Sequence, residues 1–312
     1  MVTNEELIAK VRQGFVVETP DDMSEDYRRL LIQTLTITAD TELISIFSVL
    51  SAFEYIPTLN QRIASLAIVQ DELGHAHIAY RLLKQLGVDT DALVYQRSWA
   101  DFKNPYLMDL KLENYAELMT LHALLDRAGY VLLDDVYHNT SYGPWKRALT
   151  KVEAEEGFHI RFGESNLRKL VEDPTGRRAV QEAVDWIFIM GLDFFGMPDS
   201  HKKRPLQLEL GIKGRSNDEM RQQWIASTMG FLNTIGITAP AHQDPVTGRW
   251  LLDFPYPCRF DEERRRWLLD QPVTWDEVLE RFRRHGTYRR HYIERLQSGR
   301  REYERLREGG VA

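Results

Sequence analysis

Cysteine is almost missing from this chain: Cys258 is the one thiol in 312 residues. That excludes an internal disulfide, a Cys-ligated zinc site and an iron–sulfur cluster held by this chain alone. Any redox chemistry therefore draws its electrons from elsewhere. No uninterrupted apolar run approaches the roughly 20 residues that span a bilayer, and Met1 to Lys10 is polar and acidic, without the apolar core of a signal peptide. The reading is a soluble, cytoplasmic protein with no membrane partner. Basic residues are in deficit, 40 Lys and Arg against 47 Asp and Glu for a net charge of −7, which disfavours a nucleic-acid partner because phosphate neutralisation needs a basic surface. Low-complexity segments are also absent.

What is present is helical periodicity. The composition, 43% hydrophobic and 28% charged, is that of a globular protein rather than a disordered one. Ser24 and Asp26 are capping candidates for a helix running to about Ala52, with Leu31, Leu35, Glu42, Ile46 and Val49 at helical spacings. A second helix is expected from about Gln61 to Leu86, stopped by Gly87, followed by a crossover from Asp89 to about Leu112 that is too long for a hairpin. A third runs from about Glu113 to Asn139, Ser141-Tyr142-Gly143-Pro144 reads as a turn, and a fourth covers about Trp145 to Val171. Two helical hairpins joined by one long crossover make an all-α, ferritin-like four-helix bundle over about residues 25–175. The remainder, about 176–312, reads as an addition to the same single domain. It holds helices at about Arg177 to Phe195 and Asn217 to Ile235, an extended arm or short hairpin over Ala239 to Phe260, and a helical Arg- and Glu-rich extension from Asp261 to Gly309.

Two Glu-x-x-His motifs fall in these helices, Glu72-Leu73-Gly74-His75 and Glu156-Gly157-Phe158-His159. Residues three apart share a helix face, so each motif offers a carboxylate and an imidazole to one point. Glu42 precedes Glu72 by 30 residues, Asp126 precedes Glu156 by 30, and the pairs 42/126, 72/156 and 75/159 are each 84 apart. Matched offsets make the motifs two halves of one duplicated metal site, with Glu42, Glu72, His75, Asp126, Glu156 and His159 as ligands. Asp71 and Glu155 stand next to the two glutamates, placed for cross-pairing of Asp71 with His159 and Glu155 with His75. Asp135-Val136-Tyr137-His138 lacks a matching partner and reads as a surface or helix-end pair. Hard oxygen donors with two imidazoles and no thiolate suit two iron or two manganese ions. A carboxylate-bridged pair with open positions fits an O2-using oxidase or oxygenase.

The segments Ala67 to His75, Thr140 to Pro144, Glu155 to His159 and Ile212-Lys213-Gly214-Arg215-Ser216-Asn217-Asp218-Glu219 resemble the catalytic A subunits of ring-1,2-phenylacetyl-CoA epoxidases, over about residues 15 to 290. The resemblance implies a bacterial multicomponent monooxygenase whose di-iron subunit epoxidises the aromatic ring of an aryl-CoA thioester. It also implies a second ferritin-like scaffold subunit in a hetero-oligomer, and electrons from NADPH through a separate reductase carrying flavin and an iron–sulfur cluster. The same six residues would be the iron ligands, with the carboxylates Glu42, Glu72, Asp126 and Glu156 the catalytic residues of the di-iron centre. Family members often carry a lysine one helical turn before the first ligand glutamate. This chain has Ile68 there, a change that bears on proton delivery or substrate choice.

Coenzyme A phosphates need cationic contacts. Lys202, Lys203, Arg204, Lys213 and Arg215 follow the bundle, and Lys213 and Arg215 are the better candidates because they lie in the matched segment. The clusters at Arg264 to Arg266, Arg283-Arg284 and Arg289-Arg290 alternate with acids and read as a solvated or partner-facing helix. His77 and His122 are expected to support the ligands or pack near them, and Met119, Phe194 and Phe195 to be core. Two other functions stay open: a structural partner subunit without chemistry, and a metal-handling or radical-generating protein in which Tyr130 would have to face the metals.

Overall fold

The computed structural model describes residues 2–202, 204–284 and 286–308; Lys203 of the basic loop lies outside the described residues. The helices, in chain order, are α1 (Asn4–Arg12), α2 (Glu25–Ser51), α3 (Leu59–Gln85), α4 (Thr90–Tyr95), α5 (Tyr115–Asn139), α6 (Gly143–Leu170), α7 (Pro174–Asp193), α8 (Leu206–Glu209), α9 (Asn217–Ile235), α10 (Trp275–Arg284) and α11 (Thr287–Glu308). Two short hairpins, β1 (Ala241–Gln243) with β2 (Trp250–Leu252) and β3 (Cys258–Asp261) with β4 (Arg266–Pro272), are both antiparallel.

Local signals set the long helices. The Ser24 side chain accepts from Tyr27 N at 3.2 Å to cap α2, Thr58 caps α3, and Asn114 caps α5 by accepting from Glu117 N at 2.9 Å. Past the end of α3, Gly87 takes φ of 81°, a left-handed turn that side chains avoid. Two prolines read as boundaries prove to lie inside helices. Pro144 sits in the first turn of α6 and Pro174 in the first turn of α7, where no N–H is needed, and Asp173 caps the latter through Thr175 N and Gly176 N.

The helices α2 and α3 form one antiparallel pair, α5 and α6 the other, and α3 packs on α6 across the bundle. The crossover between the pairs carries α4 and short 3-10 turns. The all-α, ferritin-like architecture is as the sequence predicts. Tyr27, Leu31, Leu35, Leu82, Leu83, Trp145 and Leu149 fill one end of the core. A larger cluster joins α5 to α7, α9 and both hairpins through Leu118, Leu124, Trp186, Trp224 and Trp267. By length and mean hydropathy α2 is apolar enough to cross a membrane, although Asp40 and Glu42 interrupt its apolar residues. Many of its apolar residues are used in packing, Leu31, Leu35, Ile44 and Val49 being buried, while Ile37 and Leu50 are exposed.

The stretch from Asp261 is not helical throughout. Strand β4 returns along β3 after a turn at Arg265, whose φ is 51°. The buried Trp267 donates from Nε1 to Trp186 O at 2.9 Å, so burial of an aromatic against α7 overrides the helix-like Arg and Glu pattern. Arginine roles change too. Arg289 is fully buried with Nε 3.3 Å from Asp109 Oδ1, and Arg265 lies over the Trp186 ring, while Arg264, Arg284 and Arg290 stay exposed.

Candidate metal centre

Six side chains from four helices converge in the bundle. Ligand-capable atoms of Glu42, Glu72, His75 and Glu156 lie within 4.8 Å of one another, and the same holds for Glu72, Asp126 and His159. The two groups share Glu72. Every sequence-derived ligand is therefore brought together, α2 supplying Glu42, α3 Glu72 and His75, α5 Asp126, and α6 Glu156 and His159.

The imidazoles have distinct inner and outer nitrogens. His75 Nδ1 faces Glu156 Oε1 at 3.3 Å and Glu42 Oε2 at 3.9 Å, while its Nε2 meets Glu155 Oε2 at 3.1 Å. His159 Nδ1 faces Glu72 Oε1 at 3.2 Å, and its Nε2 meets Asp71 Oδ2 at 3.4 Å. Asp71 and Glu155 thus stand in the crossed arrangement, each carboxylate reaching the histidine of the other motif. With Nε2 so engaged, the free lone pair of a neutral ring falls on Nδ1. Both Nδ1 atoms are buried and lack hydrogen-bond partners. A pair of orphaned inward nitrogens amid four carboxylates fits a hard divalent pair such as iron or manganese.

In the protein alone, protons stand in for cations. Burial disfavours a charged imidazole, yet Glu156 and Glu72 push His75 up to about 9, and Glu72 and Glu156 push His159 up to about 10. Burial and the Glu72 charge raise Glu42, and burial with Glu72 also raises Glu156. For Glu72 burial is outweighed by His159 and Glu42, so it falls below the usual carboxylate range.

Several side chains support the ligands. His122 Nδ1 bonds Asp126 Oδ2 at 2.7 Å, which places it against one of the six converging side chains. His77 is not so placed: two residues past His75 it lies on the opposite face of α3 and is exposed. Ser45, which sequence reasoning passed over, donates to Glu72 Oε2 at 3.0 Å. Its signal was its place three residues after Glu42 on the same helix face. Met119 and Phe195 are core, and Ile68 is fully buried one turn before Glu72. Tyr130 turns toward Glu153 and Asp134, which are not ligands, and its pKa is raised by burial and those two charges.

The unmatched motif also departs from expectation. Asp135 is fully buried and accepts from Gly214 N at 2.9 Å and Arg215 N at 3.2 Å. It is an anchor for the Lys213 to Arg215 loop, not a surface residue. Only His138 of that motif is exposed, paired with Asp134 at 3.2 Å. Arg215 contacts Asp134 at 3.3 Å and Gln223 at 2.8 Å. Lys213 Nζ donates to Asn217 Oδ1 at 2.6 Å, and burial with the nearby Lys202 charge brings it down to about 8.

Comparison with known proteins agrees with the resemblance read from the sequence. The chain is 26% identical over 255 residues to the A subunit of 1,2-phenylacetyl-CoA epoxidase from Escherichia coli (strain K12), covering 80% of this chain and 82% of that one. The family described as phenylacetic acid catabolic protein matches residues 3–306. A match running almost from end to end of the chain and enclosing all six converging side chains leaves one assignment: the chain belongs to the phenylacetic acid catabolic protein family.

Proposed function

We propose that the chain is the catalytic di-iron subunit of a multicomponent monooxygenase that epoxidises the ring of an aryl-CoA thioester, with phenylacetyl-CoA the first candidate. The observation that carries this reading is the buried two-part cluster with two orphaned inward imidazole nitrogens. Glu42, Glu72, His75, Asp126, Glu156 and His159 would hold the metals, and Asp71 and Glu155 would fix the imidazoles. An iron pair held by these six residues would supply the redox chemistry with O2. In the net reaction one oxygen atom enters the ring and the other leaves as water. Two electrons would come from NADPH through a separate reductase, in agreement with a chain whose one cysteine, Cys258, cannot by itself hold an iron–sulfur cluster.

The protein's own part is to hold and to exclude. Packing of the four helices keeps water from the cluster, and Asp71 and Glu155 accept from each Nε2–H, which turns the Nδ1 lone pairs inward. Lys213 is the proposed contact for the anionic end of coenzyme A. Burial and the nearby Lys202 charge bring Lys213 down to about 8 against the opposing pull of Asp135, Asp199 and Glu219, and a phosphate there would add to that pull. Arg215 and Asp135 hold that loop in place. A second, ferritin-like subunit would cover the exposed row Leu59, Ile63, Leu66 and Leu73 along α3, which Phe158 of α6 extends.

The test is a single turnover. Chemically reduced, iron-loaded protein is mixed with O2 and either phenylacetyl-CoA or free phenylacetate. The expected result is ring oxidation of the thioester alone, weakened at low substrate for Lys213→Glu. Iron-loaded protein, assembled with its partner subunit, that oxidises neither compound would move the reading to a metal-handling protein.

A further inference from the structure

The 84-residue repeat pairs like with like at positions 42, 71, 72 and 75, whose mates are Asp126, Glu155, Glu156 and His159. At position 45 the repeat breaks. Ser45 has Gly129 as its mate, and the two positions do different things to the two motif glutamates. Ser45 Oγ lies 3.0 Å from Glu72 Oε2 and 2.8 Å from Glu42 O. A hydroxyl has one hydrogen to donate, and the carboxylate is the stronger acceptor because it is charged. On the other side Gly129 has no side chain. A Cβ built there would meet only Glu156 Oε2, at 3.9 Å, so the position has room for the group it lacks.

Steric need does not explain this glycine. In mid-helix it costs roughly 0.5–1 kcal/mol relative to alanine, and no neighbour crowds it. Glu72 is also the residue common to both groups of ligand-capable atoms. Fixing its carboxylate would therefore act on both halves of the cluster; Glu156 also meets an imidazole of each half, His75 Nδ1 at 3.3 Å and His159 Nδ1 at 3.9 Å, so the two motif glutamates differ in the hydroxyl and not in reach.

We propose that Ser45 is a positioning residue that holds the shared Glu72 carboxylate for both metals, and that Gly129 withholds the equivalent hydroxyl from Glu156, so the duplicated site is clamped on one side only. The inference rests on the metal-centre reading above. Outer partners of this kind change metal affinity by about 10–100-fold when removed, and that is the scale expected here.

The experiment is a cobalt(II) titration of the metal-free full chain, read by calorimetry and by the visible ligand-field bands. Wild type takes up two cobalt ions per chain. Ser45→Ala binds them about 10-fold or more weakly with altered bands, and Ser45→Thr, which keeps the hydroxyl, restores both. Gly129→Ser adds a hydroxyl where space exists and shifts the bands in its own way, which keeps the test open if Ser45→Ala folds poorly. Two-cobalt binding by the wild type, with affinity and bands unchanged in Ser45→Ala or in Gly129→Ser, overturns the clamp. Failure of the wild type itself to bind cobalt overturns the metal-centre reading beneath it, a separate and recognisable result.

Discussion

Glu72 connects the two halves of the cluster, and the charges around it set how the protein responds to pH. His75 and His159 titrate in the fold at about 9 and about 10, above the ordinary 6.5. A raised basic group stabilises fully below its unfolded pKa and stops doing so as pH rises through the folded one. The metal-free protein should therefore lose thermal stability between about pH 6.5 and 10. Metal ions replace the protons, so loading at pH 7 should release protons to a pH indicator, and affinity should rise with pH. A metal-free melting temperature that stays flat across that range would contradict the assigned environment. At this scale the six converging side chains were legible in the sequence, because a three-residue helical step and an equal offset are local properties. Asp135 was not, since its partners Gly214 and Arg215 lie about 80 residues away and nothing local distinguishes it from a surface aspartate. Ser45 was legible only in hindsight, through its spacing from Glu42.

Among the elements, the pair α5 and α6 sets the distance between Asp126 and the second motif. A Cβ at Gly163 would come within 2.5 Å of Ala123 N and 2.8 Å of Met119 O, so the two backbones touch there and only glycine fits. Gly163→Ala should cost about 1–3 kcal/mol by overpacking, seen as a lower denaturant midpoint, and should weaken metal uptake by moving Asp126. Gly230 of α9 offers the control. A Cβ there meets nothing within 4 Å, so Gly230→Ala should gain about 0.5–1 kcal/mol from helix propensity alone. Equal effects for the two substitutions would show that the α5–α6 approach is not tight. Helix boundaries were legible at Ser24 and Gly87, whereas the caps Thr58 and Asn114 were passed over and the starts of α3 and α5 read about two residues off. The β3–β4 hairpin was not, because its arginines and acids suit a solvated helix equally well, and its strand depends on Trp267 reaching α7.

For the whole molecule, the question is what ties the C-terminal third to the bundle. Asp193, at the end of α7, is almost fully buried, accepts from Tyr256 OH at 2.6 Å, and pairs with Arg281 of α10. Burial raises its pKa while the arginine opposes that rise. Arg281→Ala would leave a buried carboxylate without its cation, a loss of about 3–5 kcal/mol. Limited proteolysis should then release the segment after β2 while α2 to α6 stay intact. Cleavage rates equal to the wild type would contradict this anchoring. The exposed apolar row on α3 belongs to the same scale, since it lies outside the bundle core and is the face that the proposed function would have a second subunit cover.

The central claim is that two half-repeats build one dinuclear centre. Anaerobic iron(II) titration of the metal-free full chain, followed by Mössbauer spectroscopy after air oxidation, tests it directly. Two irons per chain with the spectrum of a spin-coupled pair are expected, with loss of that coupling in Glu72→Ala. One iron per chain, or two irons that remain magnetically independent, would contradict it.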